Sequence, residues 1–306
     1  MLDIYKKTIR SDKLESVNEA GKGSWVLAIE PSSDEIDFLV NNLKLERGHI
    51  MDALDPHETP RLEIEKSGLY IYLRFPFLED DEIHTMPVLF VLTDDIVVSI
   101  TKDNKGLFDD FLGEKVEFYT TQKTKFLLYL FLKISILYRG YLNTINKKIR
   151  GREDRLAHIG DKEITDFVRW ERVLNDFLTA LVPSIRIYET LLSRQYLQYF
   201  REDQDLVEDL TLSNTETVDI CKTSIKMIVN LREAYSTLMT NNLNRAIKFL
   251  TAITIILTLP TMIASIYGMN IPLPLQHNLG AFPIIMGITV LVVAVAFWIF
   301  YKRDWL

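Results

Sequence analysis

The chain has 306 residues, 48% of them hydrophobic and 25% charged, with a formal net charge of −7. Residues 1–247 carry 32 basic and 41 acidic side chains, net −9, which excludes a nucleic-acid-binding surface of the usual basic kind and favours cations as partners. The single cysteine, Cys221, excludes a disulfide within the chain and fits a reducing compartment. The start Met1-Leu2-Asp3-Ile4-Tyr5-Lys6 lacks the apolar run of a secretion signal, so the large domain is expected in the cytoplasm.

In chain order, Trp25–Glu30 reads as a strand. Ser33–Leu45 reads as a helix with Ser33 as N-cap and Ile36, Leu39, Val40 and Leu43 on one face. Asp52-Ala53-Leu54-Asp55-Pro56-His57-Glu58 is a dense set of oxygen donors. Arg61–Lys66 and Leu69–Phe75 alternate about Ser67-Gly68, a hairpin signal, and Val88–Leu92 and Ile96–Thr101 about Asp94-Asp95 suggest another. A mixed α/β domain is therefore expected over 1–105.

Beyond Gly106 the pattern is helical, with long helices over 106–201: Thr121–Ala157, then Asp161–Phe200 with a kink expected at Pro183. Within the first of these, the apolar run Phe126–Tyr138 is too short for a membrane span. It contains Lys133, and reads as a buried helix. Residues 202–267 read as one stalk helix that continues into a membrane and is interrupted only by Pro260. It opens on Glu202-Asp203-Gln204-Asp205 and Glu208-Asp209, carboxylates three to four residues apart that are expected to share a helix face. A divalent ion would relieve their repulsion, while the simpler reading is a solvated helix start favoured by the dipole.

From Phe249 to Tyr301 there is no Lys, Arg, Asp or Glu. The stretch divides into two spans, Ile247–Tyr267 and Ala281–Tyr301, each about 20 residues and so able to cross a bilayer as a helix. They are joined by an uncharged loop, 268–280, and followed by a basic tail, 302–306. Arg245 and Lys248 at the start of the first span and Lys302 and Arg303 after the second are expected to place both termini in the cytoplasm. Tyr267, Phe282, Trp298, Tyr301 and Trp305 fall where interfacial aromatics are expected. Inside the first span Thr251, Thr254, Thr258, Thr261 and Ser265 recur at spacings of 3 and 4, and the same seam extends back through Ile247 to Asn244. Such hydroxyls commonly bond their own helix backbone or pack against a neighbour. Two spans cannot enclose a pore, but symmetric copies that turn this seam to a shared axis can.

The loop opens on Tyr267-Gly268-Met269-Asn270. With two C-terminal spans, a very short loop and the tail Lys302-Arg303-Asp304-Trp305-Leu306, this resembles the CorA family of magnesium and divalent-cation transporters, whose signature is Gly-Met-Asn at the outer end of the first membrane helix. The likeness continues upstream through Asn244-Arg245-Ala246-Ile247-Lys248-Phe249-Leu250-Thr251. The resemblance implies an α/β cytoplasmic domain with long helices, assembled with identical subunits as a pentameric funnel in the cell (inner) membrane. It implies Mg2+ as transported ion, with Co2+, Ni2+, Zn2+ or Mn2+ as alternatives, and no enzymatic activity. Gly268, Met269 and Asn270 would form the outer selectivity ring. The other reading of Gly268 is a helix C-cap, and of Asn270 a turn residue.

An amide oxygen suits the water shell of a small hard ion that dehydrates reluctantly. The pore would be lined by Asn244, Ile247, Thr251, Thr254, Thr258, Thr261 and Ser265, with Ile247 and Leu250 as hydrophobic gate candidates or ordinary packing residues. By the same resemblance Asp52 matches a carboxylate that senses cytoplasmic Mg2+ between subunits; an ion bridging it to the acidic stalk start of the neighbour, Glu202, Asp203, Asp205 and Asp209, is the gating expectation. Two features depart from the family. The loop Pro272-Leu273-Pro274-Leu275-Gln276 has no acidic residue, leaving His277 as its titratable side chain, and Thr258 and Thr261 are polar where relatives place bulky apolar groups. A two-span membrane-anchored sensor or scaffold is the alternative of another class; it would have no use for the hydroxyl seam. For an anchored enzyme there is no phosphate-binding loop and no paired zinc ligands.

Overall fold

A computed structural model describes residues 1–11, 13–153, 161–192, 201–275 and 280–306. The chain divides into two compact units, Met1–Asn230 and Leu231–Leu306.

The first unit is built on one seven-stranded sheet. Its strands are β1 (Leu2–Lys6), β2 (Glu15–Ser16), β3 (Ser24–Ile29), β4 (Arg61–Glu65), β5 (Gly68–Glu79), β6 (Glu82–Leu92) and β7 (Val97–Thr101), in the order β2-β1-β3-β7-β6-β5-β4. Only β3 and β7 pair in parallel, with Trp25 opposite Val97 and Ile29 opposite Thr101. These two strands are buried almost end to end, Ser99 and Thr101 included, because both sheet faces are covered. Val26 and Ala28 join Tyr70, Tyr72, Leu89, Val91 and Val98 beneath α1 (Ser33–Asn41) and α2 (Arg47–Ala53), which contribute Ile36, Leu39, Ile50 and Ala53. On the other face Trp25 meets Phe108 and Phe126, and Phe90 meets Phe131. Each such aromatic is fully buried and contributes about 1.5–3 kcal/mol by leaving water.

The expected hairpin about Ser67-Gly68 is present, with Glu65 opposite Gly68. Gly68 has φ 149°, and a Cβ there would lie 2.5 Å from the carbonyl oxygen of Leu92, so the turn requires glycine. Strands β5 and β6 run further than the alternation suggested and close on Asp80-Asp81, both at positive φ, as a two-residue hairpin turn demands. Pro76, which argues against a strand in sequence, is accommodated because β4 pairs with β5 only as far as Tyr72, leaving no ladder bond for its missing N–H to make. The N-cap of α1 is Ser32 and not Ser33: Ser32 Oγ accepts from Glu35 N–H and the Glu35 carboxylate accepts from Ser32 N–H at 2.8 Å, a capping box one residue earlier than expected.

The helical part begins with a short α3 (Asp109–Leu112), followed by α4 (Lys123–Glu153) and α5 (Asp161–Leu192). The apolar run in α4 is a buried helix, with Phe126, Leu127, Leu128, Leu130, Phe131, Ile134 and Tyr138 all inside the unit. Pro183 lies within α5. The expected helical residues 154–157 and 193–200 lie outside the described residues. The long helix α6 (Arg201–Tyr267) holds Pro260 in its interior, and α7 (Ala281–Lys302) follows the loop. Within the first unit α6 buries Asp203, Val207, Leu210, Asn214, Val218, Cys221, Ser224 and Ile228, a seam with the 3–4 spacing of helix packing. Ser224 donates to the Asn146 side-chain oxygen of α4, and Arg139 of α4 pairs with Glu216 at 3.0 Å.

Candidate functional site

In the second unit the chain's own burial separates two faces of α6. Ala252, Ile253, Ile256, Leu259, Pro260 and Ile263 are fully or partly buried, while Asn244, Ile247, Leu250, Thr251, Thr254, Thr258, Thr261 and Ser265 are exposed. At 100° per residue the hydroxyl stripe spans about 80° of arc, on the side of the helix opposite the buried positions. On α7 the half-buried residues are Ala281, Ile285, Thr289, Val292, Val293, Ala296 and Phe300, again one seam. The hydroxyl stripe thus lies on a face that the chain itself leaves uncovered.

Each threonine of the stripe donates its hydroxyl proton one turn back: Thr251 to the Ile247 carbonyl at 2.7 Å, Thr254 to Leu250 at 2.8 Å, Thr258 to Thr254 at 2.6 Å and Thr261 to Leu257 at 3.0 Å. A hydroxyl has one proton and two lone pairs. With the proton committed to backbone, what the stripe presents outward is acceptor oxygen. The water shell of a metal cation points its protons outward, so an acceptor-only surface is the complementary one. Pro260 supplies no N–H for the Ile256 carbonyl, which loosens the helix beside the stripe.

At the C-terminal end of α6, Gly268 N–H donates to Ala264 at 2.9 Å and Met269 N–H to Ile266 at 3.3 Å, so helical bonding runs through the first two motif residues and leaves Asn270 exposed just past it. Gly268 is not in the left-handed region, and a Cβ there would sit 3.5 Å from the nearest oxygens, an ordinary contact. The subunit backbone therefore does not itself require glycine at this position: Gly268 directly follows the last residue of α6, but without the left-handed backbone that favours glycine at a cap. His277 lies outside the described residues.

The carboxylates of the first unit are arranged differently from the expectation of one shared face. Asp205 and Asp209 are exposed and one turn apart, but Asp203 is 3% exposed, on the packing seam of α6. The reason is helical geometry: 203 keeps register with Val207 and Leu210, and 205 with 209. The side chain of Glu202 lies outside the described residues. Asp52, on α2, accepts a hydrogen bond from Arg61 at 2.7 Å, and the same guanidinium pairs with Glu58 and Glu63 and lies 3.9 Å over the Tyr72 ring. Partial burial opposes the Arg61 charge, yet its hydrogen bonds to Glu63 and Glu58 outweigh this and raise its pKa. Arg61 was not singled out by the sequence reading. The available signal was the alternation Arg61-Leu62-Glu63-Ile64-Glu65, which puts the three charged groups of β4 on one face, toward the α2 face that carries His49 and Asp52.

The CorA-like Mg2+ transporter protein family model matches residues 21–303. The cobalt/magnesium transport protein CorA of Methanocaldococcus jannaschii is 25% identical over 294 residues, covering 92% of this chain and 91% of that protein. The magnesium transport protein CorA of Campylobacter jejuni is 22% identical over 316 residues, with 92% and 91% coverage. Among solved structures, the complete CorA magnesium transporter of Methanocaldococcus jannaschii superposes with a TM-score of 0.86 at 21% identity over 100% of this chain and 99% of that one, a likeness of fold. An α/β unit, a long helix running to the loop and two helices long and apolar enough to cross a membrane thus coincide with a match over nearly the whole sequence, and the chain belongs to the CorA-like Mg2+ transporter family.

Proposed function

We propose that the chain is the subunit of a homo-oligomeric divalent-cation channel, pentameric as its family implies, that carries Mg2+ inward through a pore lined by α6. The family is one of divalent-cation transporters rather than enzymes, and two membrane helices fit a membrane transporter. The observation that carries the reading is the uncovered hydroxyl stripe: its threonine protons are spent on backbone and its acceptor lone pairs face outward from α6. Turned to a common axis, Thr251, Thr254, Thr258, Thr261 and Ser265 offer rings of acceptors to a hydrated ion. Asn270 receives it at the outer mouth with Gly268 and Met269, and Ile247 and Leu250 close the inner end when dry. Both termini lie in the cytoplasm on this reading. Uptake of Mg2+ into liposomes, compared with Co2+ and Ni2+, is the test. Asn270→Ala should reduce Mg2+ uptake at least tenfold without loss of assembled protein, and undiminished uptake would overturn the role of the ring. The name of the first relative, cobalt/magnesium transport protein, keeps Co2+ as the second candidate cargo.

Regulation by cytoplasmic Mg2+ is part of the same proposal. The ion bridges Asp52 of one subunit and the acidic start of α6 of the next, through Glu202, Asp205 and Asp209, and holds the assembly closed while it is bound. It must bind the closed state more tightly than the open one to shift the population. Because Asp52 already pairs with Arg61, the ion competes with a guanidinium, which suits a sensor of abundant rather than trace metal. Asp203, buried in the α6 seam, supports the helix start more directly than it meets the ion. Replacing Asp52, Asp203 and Asp209 together by Ala should abolish inhibition by cytoplasmic Mg2+, and inhibition unchanged would remove the idea.

A further inference from the structure

A second group of metal-ligating side chains lies on the edge of the sheet, where α2 faces β4. His49 of α2 faces Glu63 and Glu65 of β4, with Nε2 at 3.7 Å from Glu63 Oε2 and 3.7 Å from Glu65 Oε1; the three ligand atoms lie within 4.8 Å of one another. The two glutamates are two residues apart and so project from the same side of the strand. The imidazole is 12% exposed and packs on Tyr70 with ring centroids 4.4 Å apart, which holds its plane.

The Tyr72 phenol, with its one proton, backs the imidazole. That single proton is donated to the His49 carbonyl at 3.1 Å, and the phenol oxygen lies 2.8 Å from His49 Nδ1. With the proton on that carbonyl, the phenol oxygen accepts from Nδ1. In the neutral ring the lone pair is then on Nε2, the atom aimed between the two carboxylates. Glu63 is divided in the same way, with Oε1 engaged by Arg61 and Oε2 turned to His49. Three Lewis bases converge on one point, and the imidazole is held from behind by a group that fixes its orientation, the arrangement found behind metal-bound histidines.

We propose that His49, Glu63 and Glu65 form a binding site for a divalent first-row transition-metal ion such as Co2+ or Zn2+, in preference to Mg2+. The preference follows from the donor set, since imidazole suits the borderline metals whereas Mg2+ takes oxygen and keeps its waters. Metal–ligand bonds of about 2.0–2.2 Å require ligand separations of about 3.0–3.6 Å, so the site closes by rotation of the glutamate side chains, both on an exposed edge strand. With three protein ligands the remaining positions go to water, and the site is of the exchangeable kind.

The test uses the full-length protein in detergent or nanodiscs, with Co2+ titrated in the presence of excess Mg2+ and followed by its visible ligand-field absorption and by bound metal per chain. One Co2+ per chain with an absorption band is expected. The band should be lost in His49→Ala, weakened about 10- to 100-fold in affinity in Tyr72→Phe, reduced in Glu65→Gln and retained in Asn270→Ala. The proposal is overturned if wild-type protein binds no Co2+ under excess Mg2+, if the band survives in His49→Ala, or if it disappears in Asn270→Ala, which would put the ion in the pore. Should His49→Ala not fold, the exposed Glu65→Gln variant decides alone: unchanged affinity overturns the site. The readout is binding, so a failure of the transport reading would leave it standing, and the reverse.

Discussion

Gly268→Ala separates what the subunit needs from what the assembly needs. The added methyl would lie 3.5 Å from the carbonyl oxygens of Ala264 and Ser265, and the backbone there is not left-handed. Steric cost within the subunit is therefore negligible. Helical bonding reaches Gly268 N–H at 2.9 Å, so the exchange should be neutral or should stabilise the chain by up to about 0.5–1 kcal/mol, the ordinary Gly-to-Ala difference in a helix. If symmetric copies bring their Gly268 backbones together at the outer mouth, the same methyl multiplied around the axis narrows it. A tenfold loss of flux corresponds to only about 1.4 kcal/mol of added barrier, well within what one forced methyl costs. The assay is paired: yield, oligomer size and thermal midpoint of the solubilised protein, and Mg2+ uptake into liposomes. The expected outcome is unchanged yield and midpoint with uptake reduced at least tenfold. A lowered midpoint would refute the contact argument, and full uptake would refute close approach at the mouth.

Other outcomes follow from particular contacts. Arg61→Gln releases the Asp52 carboxylate from its guanidinium partner, so inhibition of uptake should occur at a several-fold lower cytoplasmic Mg2+ concentration than in wild type; an unchanged concentration would argue against Asp52 as the sensor. Thr120→Val removes a buried hydroxyl that accepts from Lys7 N–H at 2.8 Å and donates to the Gly23 carbonyl, and should cost about 1–3 kcal/mol in chemical denaturation, without altering which ion is carried. The Asp110 carboxyl is lowered by its hydrogen bond from Lys133, with slight burial acting the other way. Its folded pKa is depressed, so its contribution is present above the unfolded value of about 3.9 and lost as pH falls through the folded one. Thermal midpoints of wild type and Lys133→Met should therefore differ most near neutral pH and converge below that value.

The membrane end was legible in the sequence because a bilayer imposes a one-dimensional rule: about 20 apolar residues without charge must be helix whatever surrounds them. The same holds for the hydroxyl seam, whose 3–4 spacing any helix converts into a face. Strands β3 and β7 were readable as apolar runs, but their parallel pairing, and the place of β4 at the sheet edge, depend on residues some 70 positions apart and have no local signature. Pro76 hid the second half of β5 because its tolerance depends on where the neighbouring strand ends. Asp203 was misplaced for a related reason: spacing groups it with its acidic neighbours, and only packing against the other helices shows that it keeps register with Val207 and Leu210. Likewise Arg61 beside Asp52, and His49 with its lone pair aimed at Glu63 and Glu65, exist because α2 lies across the strand that carries their partners. Periodicity and apolarity were thus decided residue by residue along the chain, whereas the pairing of charges and ligands was decided by which distant segments the core brings together.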